Sequence, residues 1–301
     1  MQTVIGYDNP SPGSLKEFGI LYNELPMIDG KVDMAGIKNV ITPKTKMVEI
    51  QRSRGYSMRS PLSIADIEAI TAEVHRLKPD CICFVDNCYG EFVDYREPTQ
   101  VGADIMAGSL IKNPGGGIAP TGGYIAGKSD LVELASYRLT APGMGDELGA
   151  SLANNRLMFQ GFFLAPHVVS QASKARSSRP ACSPSSATRP CRCDRCARRH
   201  HPGHRTRLGG KTHCVLRRHP EVFAGRFLCG TGAWDMPGYA DKIIMPPAPS
   251  CRVRPSSSVP TARCGRRTTS TLQGGLTFEH AVIGILGAAQ AVLDCESGQQ
   301  A

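Results

Sequence analysis

The chain has 301 residues, 41% of them hydrophobic, enough for one large or two ordinary domains with a real core. No early apolar run has the form of a secretion signal and no stretch approaches a membrane span, so a cytoplasmic location is expected. The formal net charge of +9 points at face value to a nucleic-acid or acidic-membrane partner, but it is unevenly spread. Of 35 basic and 26 acidic residues, 19 and 2 fall in 174–231 and 246–271; the 16 and 24 elsewhere give −8, ordinary for an enzyme.

In chain order, residues 1–6 have the form of a helix tail and 7–13 of a loop rich in Pro, Asn and Gly. Segments 18–26 and 47–52 read as short strands, with a helical turn around 33–40 between them. Ser63 opens a helix over 64–77: Asp66 follows in a capping-box arrangement, and Ile64, Ile67, Ile70 and Val74 share one face, which belongs to the core. Lys78-Pro79-Asp80 ends that helix. The apolar run 81–85 then enters a sheet as a buried strand and delivers Asp86 at its C-terminal end, where ligands bind in open α/β sheets. Strand, helix and strand in alternation predict a right-handed crossover and a parallel sheet.

Residues 98–103 cross to a further strand, 104–112, whose last residue is Lys112. An apolar run rich in Ile, Leu and Ala leads into this lysine, and Asn113-Pro114 with three glycines stops it. Burying an ammonium is costly unless it is paired or used, so Lys112 reads as an amine in use. A snorkelling surface lysine is the weaker reading, since the glycines leave little room for it. A desolvated lysine has a lowered pKa and condenses readily with an aldehyde. With Asp86 it forms the pair that pyridoxal phosphate (PLP) chemistry requires: a carboxylate to keep the pyridine nitrogen protonated and an amine to hold the aldehyde. The competing reading of Asp86 is a turn or helix-capping residue. Beyond the glycine turn, 122–126 reads as the next strand, 130–139 as an amphipathic helix capped by Ser129, and 147–163 as helices leading into a small C-terminal domain.

DNCY (86–89), GAD (102–104) and SLIK (109–112) resemble the core of the fold-type I PLP enzymes of cysteine and methionine metabolism. The longer match, through QRSRGYS (51–57), DNCYGEF (86–92), SLIKNPGGGIAPTGGYIAG (109–127) and YRLTAPG (137–143), is similar to the methionine gamma-lyase family proteins, often labelled cystathionine beta-lyase or aluminium-resistance protein. The resemblance runs almost unbroken from 4 to 171 and returns in islands at 232–245 and 272–293.

The resemblance implies a three-layer α/β large domain of fold type I with a mainly parallel sheet over 1–150, and a smaller α+β domain over 151–301. It implies Lys112 as the Schiff-base lysine that also carries protons at the substrate α carbon, and Asp86 against the pyridinium nitrogen. Ser109 would face the cofactor phosphate. Tyr89 would meet the phenolic oxygen, although a buried structural tyrosine explains it nearly as well. No metal is expected at this site. Arg52 and Arg54 are candidate anion contacts or exposed salt-bridge residues. Cys81, Cys83 and Cys88 read as small core residues rather than nucleophiles, and His167 and His280 carry no signal.

The family also has an earlier segment with a Gly-Thr phosphate loop and an aromatic ring to stack on the pyridine. This chain has neither, so a large domain truncated at its N-terminus is expected. The arginine for the substrate carboxylate is expected just before 272–280. There Arg263, Arg266 and Arg267 stand in a stretch that does not match, and none is carried over.

The implied activity is that of a PLP-dependent carbon–sulfur lyase, by methionine gamma-elimination or cystathionine beta-elimination, which share their first steps. Its partner would be a small amino-acid substrate, not nucleic acid or membrane, and the chain would form a homodimer or homotetramer. A PLP aminotransferase or decarboxylase on the same fold is the rival within enzymes. The rival outside enzymes is a metal- or nucleic-acid-binding protein built on the Cys/His/Arg-rich segment. Cys191, Cys193, Cys196, His200, His201 and His204 can bind metal, but no second C-x-x-C follows, and the arginines lack aromatic partners for stacking. Stretches 174–231 and 246–271 hold 8 of 12 cysteines and 5 of 8 histidines. A change of reading frame in a GC-rich gene, which yields Arg, Pro, Ala, Ser, Cys and His with hardly any Lys, accounts for them better than either binding role.

Overall fold

The computed structural model describes residues 5–7, 12–55, 59–147, 149, 154–182, 276–283, 286 and 290, together with four short strands between 233 and 272, with no side chains for those strands or for 176–182. It divides into two compact units, one over Ile5–Val169 and the other chiefly over Ser170–Ala301.

The first unit opens with a hairpin of β1 (Met27–Ile28) and β2 (Lys31–Val32), then a single helical turn, α1 (Ile37–Val40). Its centre is a sheet of four strands in sequence order: β3 (Met47–Gln51), β4 (Ile82–Asp86), β5 (Ile105–Ser109) and β6 (Gly123–Gly127). β3, β4 and β5 are mutually parallel and β6 is antiparallel to β5. The sheet is therefore mixed, with its three parallel strands ending on one edge.

Between β3 and β4 lies α2 (Ile64–Leu77). The Ser63 hydroxyl accepts the Asp66 N–H at 3.1 Å and the Asp66 carboxylate accepts the Ser63 N–H at 2.8 Å, so two of the donors left open at a helix start are satisfied. Ile64, Ile67, Ile70 and Val74 recur at helical spacing and bury against Ile50 of β3, Cys83 and Val85 of β4 and Met106 of β5. Each such side chain contributes roughly 1.5–3 kcal/mol by leaving water. Ile67 and Val74 have no exposed surface, so truncating either to alanine costs about 2–5 kcal/mol. With side chains alternating along each strand, Glu49, Phe84, Asp86 and Ala107 lie on the opposite face from this core.

After β6 come α3 (Ser129–Ser136) and the long α4 (Asn155–Cys182). In the second unit, β7 (Ala233–Trp234), β8 (Lys242–Ile244), β9 (Pro260–Cys264) and β10 (Thr269–Leu272) form an antiparallel sheet in the order β10-β9-β8-β7. There Gln171 Oε1 accepts the Phe278 N–H at 3.2 Å and Ala281 is buried.

Four expectations are corrected. Segment 18–26 is not a strand: it follows a 3-10 turn (Leu15–Phe18) as unpaired chain, with Phe18, Ile20 and Leu21 exposed. Among the described residues its apolar run has no neighbouring strand to pair with. The strand expected over 104–112 stops at Ser109, because the chain turns there and the Lys112 N–H closes back on the Ser109 carbonyl. Ser129 does not cap α3: Lys128 holds the cap position, with no side-chain bond. Of the helices expected over 147–163, the described residues show one, which starts at Asn155. The metal-capable residues 191–204, Arg266 and Arg267 lie outside the described residues, and Arg263 is described only as backbone in β9.

Candidate active site

β4 and β5 run in parallel with Asp86 beside Ala107, so Asp86 and Ser109 emerge on the same C-terminal edge. The chain then turns. The Lys112 N–H donates to the Ser109 carbonyl at 3.3 Å and the Gly115 N–H to the Lys112 carbonyl at 3.0 Å, with Pro114 in the first turn of a 3-10 segment where its missing N–H is not needed. A side chain at Gly115 would strike the Leu110 carbonyl, and one at Gly161 of α4 would strike the carbonyl of Gly115. This turn is thus pinned to α4 backbone against backbone, which is the physical demand behind the glycine run.

Lys112 is half-buried, and among the described residues no carboxylate lies within 4.0 Å of its amine. The ring of Tyr89 lies beside it, with its centroid 5.2 Å from Nζ. Burial holds the amine below the ordinary lysine pKa, with Cys88 opposing that shift. Tyr89 has φ 68°, a left-handed conformation that costs a non-glycine residue roughly 1–2 kcal/mol. Strain of this kind persists where surrounding structure imposes it, and here it holds the ring beside the amine. Burial also raises the Tyr89 phenol well above its usual range.

Asp86 Oδ1 accepts the Cys88 N–H at 3.0 Å. The Cys88 thiol meets the Asp86 carboxylate on one side and the Ser109 backbone on the other, and burial followed by the Asp86 charge pushes it up to about 12. Cys88 therefore stands at the centre of the site as a protonated hydrogen-bonding group and not as a nucleophile. Cys81 and Cys83 are core residues, as expected. Asp86, Ser109, Lys112 and Tyr89, chosen from sequence, all gather around this one cysteine, the member of the cluster that the sequence reading assigned to the core.

Arg52 is corrected. It is 4% exposed, too buried for a surface salt bridge and too fully engaged for a free anion contact. Its guanidinium donates to Asn87 Oδ1 at 2.8 Å, to the Gly90 carbonyl at 3.0 Å and to Asp94 Oδ2 at 2.6 Å, with Glu97 at 3.6 Å. It thereby ties the end of β3 to the loop that follows Asp86. Arg54 is half-buried just beyond.

Four polar residues, Asn87, Glu91, Tyr124 and Glu49, were not singled out from sequence. Asn87, fully buried, donates to Glu97 Oε2 at 3.0 Å and to the Tyr124 hydroxyl at 3.2 Å, and Tyr124 donates to Glu91 Oε1 at 3.0 Å. Burial raises Glu91 to about 7, and its Oε2 is buried with no hydrogen-bond partner among the described residues. Glu49 is also raised to about 7, by burial and by the charge of Asp86, and its Oε1 is buried without a partner among the described residues. The available signal was Glu49 itself, a carboxylate inside a short strand with apolar neighbours on both sides.

Among the described residues no helix is long and apolar enough to cross a membrane. The sequence model of the methionine gamma-lyase family matches residues 1–180. The chain is 55% identical to the Bacillus subtilis protein YnbB over 163 residues, 54% of this chain and 39% of that protein. It is 49% identical to a 33.9 kDa protein of Lactobacillus delbrueckii subsp. bulgaricus over 176 residues, 58% of each. The chain thus spans less than two thirds of these curated relatives. A candidate cystathionine beta-lyase involved in aluminum resistance from Listeria monocytogenes superposes with TM-score 0.80 at 38% identity, covering 97% of this chain and 72% of that one. A carbon–sulfur lyase involved in aluminum resistance from Clostridium novyi gives TM-score 0.77 at 36% identity, with 97% and 69% covered. With the family matched over more than half its length, this chain belongs to the methionine gamma-lyase family.

Proposed function

We propose that the chain is a PLP-dependent carbon–sulfur lyase of fold type I that acts on a sulfur-containing amino acid. The observation that carries the reading is Lys112: a half-buried amine without a carboxylate partner among the described residues, gathered with Asp86, Ser109 and Tyr89 at the C-terminal edge of the parallel strands. A lysine held there as a spectator charge would be costly, whereas one whose pKa burial holds below the ordinary lysine value is suited to covalent and proton-transfer work. The residues present fit the cofactor. Lys112 offers the amine, the Asp86 carboxylate hydrogen-bonds only with Cys88 among the described residues, with Glu49 near enough to feel its charge, and the Ser109 hydroxyl makes no hydrogen bond among the described residues, leaving it available to a phosphate.

When bound, PLP supplies an aldehyde that condenses with amines and a ring that accepts the electron pair released at the substrate α carbon. Lys112 would hold the cofactor through its amine and, when that amine is free, would take the proton from the substrate α carbon. Asp86 would keep the pyridine nitrogen protonated, and the Cys88 N–H fixes the orientation of that carboxylate. Tyr89 packs beside the amine, and its phenol would serve as a hydrogen-bonding group toward the cofactor. Elimination breaks the carbon–sulfur bond at the beta or gamma position; with one water consumed, a thiol, a 2-keto acid and ammonia leave. The substrate is a small amino acid, the assembly a homodimer or homotetramer, and neither nucleic acid nor membrane takes part.

The test is product release. Purified chain with added PLP is incubated with methionine or cystathionine, and thiol and keto acid are measured without any amino acceptor. Both products from wild type and neither from Lys112→Ala support the lyase. Keto acid formed only when an acceptor 2-keto acid is supplied would make it an aminotransferase.

A further inference from the structure

Away from the strand ends, α2, β4 and the residue before β5 bring together a histidine, a cysteine and an aspartate that the lyase reading does not use. His75 Nε2 lies 3.0 Å from Asp104 Oδ2, and with the Cys83 sulfur these atoms all lie within 4.8 Å of one another. The same Oδ2 accepts the Cys83 N–H at 2.7 Å, and Lys128 Nζ stands 2.6 Å from Oδ1. Cys83 and Asp104 are buried, while His75 is 30% exposed and closes the cluster on its solvent side.

We propose that His75, Cys83 and Asp104 form a zinc site with an open fourth position for water. The donor set is one nitrogen, one sulfur and one oxygen, the mixture that a borderline-soft divalent cation takes and that magnesium or calcium does not. The distances suit it. Zinc bonds of roughly 2.0–2.3 Å in tetrahedral geometry place ligand atoms about 3.3–3.7 Å apart, so no pair needs to move by more than about 1.5 Å. The half-exposed imidazole supplies that movement, and the 64% exposed Lys128 side chain can swing into solvent. The Cys83 N–H would remain on Asp104 as the outer hydrogen bond that orients a ligating carboxylate. On binding, the S–H bond of Cys83 breaks, a sulfur–zinc bond forms and one proton goes to solvent. The ion would clamp α2 to the start of β4 and β5, so zinc would stabilise the first unit by mass action.

The experiment uses the full chain, stripped with a chelator and re-equilibrated with zinc, because cysteines and histidines elsewhere in the chain are also able to bind the ion. Zinc is counted by atomic spectroscopy in wild type, His75→Ala and Cys83→Ser, and cadmium is substituted to read the thiolate-to-metal absorption band. The expected result is one equivalent fewer in each variant, a weaker cadmium band in Cys83→Ser, and a zinc-dependent rise in melting temperature that His75→Ala lacks. Equal zinc content in wild type and a His75→Ala protein of unchanged circular dichroism would overturn the proposal. Should the core change at Cys83 prevent folding, Lys128→Met decides. Removing the competing cation should tighten zinc binding severalfold, and an unchanged affinity contradicts the site.

Discussion

Lys112→Met should make the protein more stable while removing its chemistry. The ammonium is half out of water and has no carboxylate within 4.0 Å among the described residues. Its one compensating contact is the Tyr89 ring, whose centroid 5.2 Å away is worth about 0.5–1 kcal/mol at a partly exposed position. Removing a full charge from water costs several kcal/mol; at half burial the figure is about 2 kcal/mol, which leaves a net penalty of about 1 kcal/mol. Methionine keeps the apolar stem and drops the charge. The apo variant should therefore melt about 2–4 °C above wild type by calorimetry at pH 7. The pH dependence has a defined sign. Because the folded pKa is lowered, the unfolded chain binds more protons, so wild-type stability rises with pH. The advantage of Lys112→Met is full below the folded pKa and disappears as pH passes the ordinary lysine value. A variant melting at or below wild type would show that the amine is well compensated and would refute the argument from its burial.

Glu91 is raised to about 7 against an ordinary value of 4.5, so the folded state holds an extra proton between those limits and stability falls as pH rises through them. Glu91→Gln keeps the contact with Tyr124 and should gain about 1–2 kcal/mol in urea unfolding at pH 8 and almost nothing at pH 4; Glu49 supplies a similar slope, so the dependence is weakened and not abolished. At Tyr89, glycine should be about 1 kcal/mol more stable than alanine, because only glycine accepts φ 68° without strain; equal unfolding midpoints would contradict the strained geometry. Gly161→Ala forces α4 off the Gly115 carbonyl and should cost about 1–3 kcal/mol and weaken PLP retention, measured by cofactor absorbance after gel filtration.

Much of the scaffold was legible because its determinants are local. The capping box at Ser63 and Asp66, the 3.6-residue spacing of Ile64, Ile67, Ile70 and Val74, and the apolar run into Asp86 each specify an element without distant partners. Lys112 and Asp86 could be chosen because a lysine and an aspartate after buried runs conflict with the hydrophobic pattern around them. Segment 18–26 failed for the complementary reason: a β-rich composition becomes a strand only where a neighbour is present to pair with it. Arg52 could not be placed from sequence, since its partners Asn87, Gly90 and Asp94 are 35 to 42 residues away. The central position of Cys88 was invisible as well, because a small apolar thiol looks the same in a core and at the edge of a site.

The central claim is that Lys112 is the amine that holds PLP, and covalent trapping tests it most directly. The protein is mixed with PLP, reduced with borohydride, digested and mapped by mass. The account predicts a phosphopyridoxyl group on Lys112 that is lost in Asp86→Ala. No adduct, or adducts scattered over exposed lysines and indifferent to Asp86, would contradict it.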